Sequence, residues 1–358
     1  MTPPRLAFLL LLLALAACQV APPPDKLVLR PVDFAALPGW SGDAHAALLP
    51  VLLRSCANHA RQPPEQPLGL LPSRAGDWTG PCVLAALLPP GDDAAARGFF
   101  ESSFQPFEVL NNDRAEGLFT GYYEPELRGS RQCRAPYTVP LYRLPPELAV
   151  RDKPPFPDRA AIDSGALNGR GLELVCVDDA VDAFFLHIQG SGRVSLAEGG
   201  VLRLNVAGQN GHPYVAIGRE MLKDGLLAEG KVSMQTIRAW LAANPQAAPG
   251  IMARNPSYVF FREVALAPED GPLGAEGVPL APARSLAVDR RFLAYGVPLW
   301  LDVDSPIGRL QRLVMAQDTG GAIRGPVRGD LFWGWGSAAG DIAGRMAHRG
   351  RYWLLLPH

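Results

Sequence analysis

Thirty-six prolines and 37 glycines punctuate a chain of 358 residues. Proline removes a backbone donor and breaks helices, and glycine makes interior positions costly to order, so such a chain builds short elements joined by turns. Helical periodicity is brief throughout, and the pattern predicts a mainly β fold with a few short helices. A length left at about 340 residues after any leader calls for one large or two ordinary domains. Lys+Arg at 34 against Asp+Glu at 35 excludes polyanion binding driven by net charge, and no nucleic-acid partner is expected.

The leader is distinct from the fold. Arg5 precedes the apolar run Leu6 to Leu15, shorter than the ~20 residues that span a bilayer. The run closes on Leu15-Ala16-Ala17-Cys18, small residues before a cysteine, which reads as a bacterial lipobox. Residues 1–18 are then a lipoprotein signal peptide, with Cys18 as the lipidation site. An ordinary secretory signal cut near Ala17 would change only the anchoring. Gln19 after the cysteine predicts a periplasm-facing lipoprotein of the outer membrane, and the proline-rich stretch to Asp25 is its extended tether. With Cys18 lipidated, Cys56, Cys82, Cys133 and Cys176 remain, an even count that reads as disulfides in an exported protein. Three pairings exist; the sequential one is favoured, and spacing does not decide between them. No CxxC pair or neighbouring histidine pair suggests zinc.

Along the chain, Ala44 to Ala60 and Ala94 to Phe107 carry helical periodicity, the latter with Phe99, Phe100 and Phe104 as a core-facing stripe. Gly117 to Glu126 reads as a strand ending in Tyr122, Tyr123 and a Glu-Pro-Glu turn. Tyrosines beside glycines are platforms for sugar rings, and equally are buried corners at strand ends. Phe184 to Val194 reads as a strand with a tight turn that exposes Gln189 and Ser191, and His187 within it reads as a core histidine. Gln209, Asn210 and Tyr214 follow around further glycines. Amides and hydroxyls at such turns suit a neutral, hydroxyl-rich ligand. Ser233 is placed to cap a helix that Asn244-Pro245 stops.

The last quarter carries the chemistry. Three apolar runs end in aspartates: Arg284 to Asp289, Leu313 to Asp318, and the loop that returns to Asp330. Carboxylates at strand ends can converge on one barrel rim. Asp330 opens the aromatic segment Phe332-Trp333-Gly334-Trp335, where exclusion of water raises a carboxylic pKa and makes a general acid. Asp beside Gly is also an ordinary turn former that accepts backbone N–H bonds, a description closer to Asp318 than to Asp330. Arg324 and Arg328 flank the loop and would keep a carboxylate ionised unless they face a substrate.

Gly121-Tyr122-Tyr123-Glu124-Pro125, His187 to Gly192, Asn210-Gly211-x-Pro-Tyr214, Ser257 to Phe261, Arg284 to Asp289 and Asp318-Thr319-Gly320-Gly321 through Asp330-Leu331-Phe332-Trp333-Gly334 occur in one order. Together, from about Gly117 to Leu356, they resemble the membrane-bound lytic murein transglycosylase A family with its C-terminal three-aspartate domain. The resemblance implies a double-psi β-barrel domain from 19–120 plus 256–358 and an inserted β-rich substrate-binding domain at 121–255, with a glycan groove between them. It implies cleavage of the β-1,4 bond between N-acetylmuramic acid and N-acetylglucosamine in cell-wall turnover, leaving a 1,6-anhydro ring. By motif position the catalytic aspartate falls on Asp330, with Asp318 and Asp289 as companions. The candidate substrate contacts are Thr120, Tyr122, Tyr123, Gln189, Ser191, Gln209, Asn210 and Arg324. The expected partners are peptidoglycan glycan strands, the outer membrane through the lipid, and cell-wall synthesis or division proteins; the mechanism needs no metal or organic cofactor. The cysteines do not map onto the family pattern. Two other readings exist: half of an aspartic-protease site, which lacks its second half here, and a non-catalytic glycan-binding lipoprotein in which Asp330 is idle.

Overall fold

A computed structural model describes residues 23–149 and 156–358, so Cys18 and the leader lie outside the described residues. Strands β1 (Leu27–Pro31), β2 (Phe104–Asn111) and β3 (Gly117–Glu124) join one sheet with five strands from the other end of the chain. Between them in sequence, β4 (Glu126–Ser130), β5 (Val139–Tyr142), β6 (Glu173–Val177), β7 (Ser191–Leu196), β8 (Val201–Gln209) and β9 (Val259–Glu263) form a second sheet, in the order β5-β6-β4-β7-β8-β9. The late strands of the first sheet are β10 (Ser285–Val288), β11 (Val297–Ser305), β12 (Gly308–Asp318), β13 (Arg328–Trp335) and β14 (Ala347–Pro357).

The first sheet runs β1-β2-β14-β11-β12-β10-β13-β3, and β3 also pairs with β14. Six strands thereby close into a barrel, while β2 and β1 continue outward from β14. β14 can serve three neighbours because it is long: Ala347–Gly350 pairs with β3, Gly350–Leu354 with β11, and Trp353–Pro357 with β2. Gly350 sits where the pairing changes, and a Cβ there would lie 2.6 Å from the Cβ of Val303. Only glycine permits that approach.

The apolar runs follow from two-sided burial. Leu313, Val314, Met315 and Ala316 are all buried, because the barrel interior takes one face and helices take the other. Those helices are α1 (Leu49–His59), α2 (Thr79–Leu87) and α3 (Asp93–Ser103), with Cys56–Cys82 tying α1 to α2. Cys133–Cys176 ties the loop after β4 to β6, so the sequential pairing is the one formed. The expected helix to Phe107 ends earlier, at Ser103. Phe104 opens β2 yet keeps its place in the core, 5.7 Å from Phe99 and 5.8 Å from Phe100 between ring centroids.

The second sheet is covered by α4 (Arg159–Asp163) and α5 (Ala180–Gln189), with α6 (Ile217–Lys223), α7 (Met234–Ala243) and α8 (Ala248–Met252) packed on the other side of α5; α9 (Gly336–Ala343) packs on β3 and β13. The strand expected over Phe184–Val194 is a correction: it is the end of α5, then β7. Asp179 caps α5 by accepting from Asp182 N at 2.8 Å, and Gly190 ends it with φ +80°. Leu186 faces the sheet while Phe184 and Phe185 face the other helices, so both sides are apolar and the run imitates a buried strand. His187 is a core histidine, on a helix rather than a strand.

Candidate active site

Register brings two of the three aspartates together. Ala287 of β10 lies opposite Asp330 of β13 on one side and Asp318 of β12 on the other. An irregularity after Leu286 skips Gln317 and puts Asp318 into that row. With strands ~4.8 Å apart, the two aspartate backbones stand about 10 Å apart across Ala287. Asp330 is also opposite Thr120 of β3 through the parallel pair β13–β3.

The Thr120 hydroxyl donates to Oδ1 of Asp330 at 2.6 Å and accepts from Nη2 of Arg328 at 2.8 Å. Burial pushes the Asp330 carboxyl up to about 6; the Arg328 charge and the Thr120 hydrogen bond hold it down, and Asp318 pushes it further up. Residues i and i+2 share a strand face, so Phe332 is the aromatic neighbour on the side of Asp330, buried against Tyr122 at 5.4 Å. Trp333 points to the opposite face, where Nε1 meets Met346 Sδ at 3.3 Å. The dry wall behind Asp330 is therefore Phe332 with Tyr122, and the expected part for Trp333 is corrected.

Asp318 is held by three donors: Tyr122 Oη at 2.8 Å, Ala275 N at 2.9 Å and Thr319 N at 2.9 Å. Burial still raises its carboxyl above the ordinary value. Asp289 differs. Its carboxylate, almost wholly buried, accepts from Gly325 N at 2.8 Å and from Nε and N of Arg291. Burial alone would raise it, but these donors and the Arg291 charge outweigh burial and lower its pKa. It braces the glycine loop that precedes Asp330.

The candidate contacts divide. Tyr122 is buried and spends its hydroxyl on Asp318; Tyr123 is buried against Gly340 of α9, so neither is an open platform. Gln189, ending α5, accepts from Tyr123 N at 3.1 Å. Ser191 is buried at the start of β7, and Gln209 is exposed at the end of β8. Asn210 is a bracket: Nδ2 donates to Pro157 O and Pro256 O while Oδ1 accepts from Tyr258 N. Arg324 is exposed on the loop, and Arg328 is half-buried beside Thr120.

One feature escaped the sequence reading, and another was named there only as a residue at a glycine turn. The latter, Tyr214, is 41% exposed, and its hydroxyl is raised in pKa by burial first and then by the negative charge of Asp330, which puts it within electrostatic reach of that carboxyl. Glu124, 1% exposed, accepts from Arg193 Nε at 2.8 Å and from Arg203 Nη2 at 3.1 Å. These arginines also donate to the carbonyls of Ala267, Pro268 and Asp270, and Arg193 stacks over Trp335 at 4.1 Å. The cluster clamps β7 and β8 onto the ends of β3 and β13; in the sequence Glu124 was legible only as part of a turn.

Residues 118–262 match the MltA specific insert domain, and residues 284–356 match the 3D domain. The membrane-bound lytic murein transglycosylase A of Vibrio cholerae serotype O1 is 37% identical over 280 residues, 75% of this chain and 73% of that protein. The crystal structure of membrane-bound lytic murein transglycosylase from Agrobacterium tumefaciens matches with a TM-score of 0.82 at 36% identity, covering 92% of this chain and 97% of that one. That of E. coli MltA with bound chitohexaose matches with a TM-score of 0.71 at 26% identity, covering 94% and 95%. The chain belongs to the membrane-bound lytic murein transglycosylase A family.

Proposed function

We propose that this peptidoglycan lytic transglycosylase cuts the β-1,4 bond between N-acetylmuramic acid and N-acetylglucosamine with Asp330 as its single acid and base. The observation that carries this reading is the Asp330 carboxyl, pushed up to about 6 beside Thr120. The Thr120 hydroxyl occupies Oδ1 as donor, which leaves Oδ2 to carry the transferable proton. That proton passes to the leaving glycosidic oxygen as the bond from C1 breaks. The carboxylate so formed takes a proton from the C6 hydroxyl as that oxygen closes on C1, giving the 1,6-anhydro ring. Hydrolytic glycosidases need a second carboxylate at about 5–5.5 or 6.5–9.5 Å; here the nucleophile is part of the substrate and its effective concentration is high. Asp318, held by three donors, supplies negative charge that raises Asp330 and favours a cationic C1. Asp289 with Arg291 holds the loop.

The parallel pairings β10–β12 and β13–β3 are those a double-psi barrel requires, and we read the barrel as one. E. coli MltA was crystallised with bound chitohexaose, which supports a glycan as the ligand of this chain. We place the enzyme on the outer membrane through Cys18, facing the periplasm.

The test is mass spectrometry of products from peptidoglycan incubated with the protein and with Asp330→Asn. Anhydro-ended muropeptides from the wild type alone are expected, with glycan binding intact in the variant. Products heavier by one water would make the enzyme a hydrolase and send the assignment to a second carboxylate; substantial turnover by Asp330→Asn would remove it as the acid.

A further inference from the structure

α5 connects the acid to a second site. Its last residue, Gln189, holds the backbone of Tyr123, three residues from the Thr120 that donates to Asp330. Its Ala180, Ala183, Phe184 and His187, spaced i, i+3, i+4, i+7, form one face. That face lines a cavity of ≈ 630 Å³ enclosed with β5, α4 and α8. The volume falls within the ~300–1,000 Å³ of small-ligand sites.

Opposite charges border this cavity without pairing. Arg159, 2% exposed, donates from Nε to Asn255 O at 3.0 Å, from Nη2 to Ser257 O at 2.7 Å and from Nη1 to His187 Nδ1 at 3.1 Å. Two of the five N–H bonds of its guanidinium are left over among the described residues. Phe184 and Tyr258 lie at 4.9 and 5.1 Å from its carbon, so the cation is oriented and cannot swing away. Asp163, one turn further along α4, borders the same cavity, feels the Arg159 charge and is not in ion-pair contact with it. His187 accepts at Nδ1, so its proton is on Nε2, which finds no partner among the described residues.

We propose that this cavity binds a short zwitterionic peptide, its carboxylate on Arg159 and its ammonium on Asp163. A bare sugar satisfies neither charge, and a simple anion on Arg159 would leave Asp163 repelling it. This rests on the peptidoglycan reading above. The muramic sugars of that polymer carry short peptides with free carboxylates and an amine. With the peptide of a bound strand seated in the cavity, the enzyme reads peptide-bearing strands apart from bare ones.

The experiment titrates the intact protein by calorimetry with the sugar-free tetrapeptide L-alanyl-γ-D-glutamyl-meso-diaminopimelyl-D-alanine, beside Asp163→Asn. Arg159 also braces the Asn255–Ser257 backbone, so the variant is made at Asp163, which is exposed. Asp163→Asn weakens peptide binding about tenfold, raises KM for peptide-bearing glycan by a similar factor, and leaves kcat and turnover of peptide-free glycan unchanged. No binding by a wild type that still cleaves glycan overturns the proposal, as does equal binding by the variant or an equal change on both substrates. Failure of the peptidoglycan reading is seen separately, as no cleavage by the wild type while the peptide still titrates, and failure of the Asp330 assignment as substantial turnover by Asp330→Asn.

Discussion

Asp330 is a destabilising residue for the folded protein at neutral pH, which gives its role a thermodynamic signature. Its carboxyl moves from 3.8 unfolded to about 6 folded. Between those values the folded state binds a proton that the unfolded state does not, so stability falls as pH rises through that window. The cost is complete above pH 6 and reaches up to about 3 kcal/mol. Asp330→Asn is therefore expected to raise the thermal midpoint at pH 7.5 and to lose that gain below pH 4, as scanning calorimetry would show. Activity should rise as pH falls through 6, because only the protonated acid can donate. Thr120→Val removes a hydrogen bond that holds the carboxyl down, so the limb of the kcat/KM profile should move to higher pH. An unmoved limb would detach Thr120 from the acid.

At the scale of elements, the site is made by pairings between segments far apart in the chain. β3 brings Thr120 and β13 brings Asp330, and each strand alone would be an ordinary apolar segment. The Glu124–Arg193–Arg203 cluster then holds the second sheet against these two strands. Glu124→Ala leaves two buried guanidiniums without their carboxylate and is expected to cost about 3–5 kcal/mol, read from the urea midpoint at constant m-value. Glu124→Gln keeps the hydrogen-bond acceptor but not the charge and should fall between. Strands that end in aspartates and the capped helix at Ser233 were legible, since each depends on neighbours in sequence. α5 was not: it is apolar on two sides because two layers enclose it, and that enclosure is tertiary.

For the whole molecule, closure of the barrel by β14 depends on the first and last thirds of the chain meeting, a costly loop closure with the second sheet between them. Two disulfides reduce the freedom of the unfolded chain, with sequence separations of 26 and 43. By loop entropy each contributes roughly 3–4 kcal/mol. Replacing Cys56 and Cys82 by serine should lower the thermal midpoint by several degrees and leave the folded far-UV spectrum unchanged; an unchanged midpoint would show that packing of α1 on α2 alone suffices.

By itself the sequence determined the β-rich class and the family motifs, and it singled out the aspartate proposed as the acid, because these are written in local residue order. Which aspartate is dry, which is braced and which tyrosines are buried was decided only when strands paired. Asp289 and Asp318 look alike as aspartates at the ends of apolar runs. They part because Arg291 and Gly325 outweigh burial at Asp289, while burial outweighs the Tyr122 hydroxyl and the two backbone donors at Asp318. Burial and partner count set a carboxyl's pKa, and both belong to the folded neighbourhood rather than to the chain.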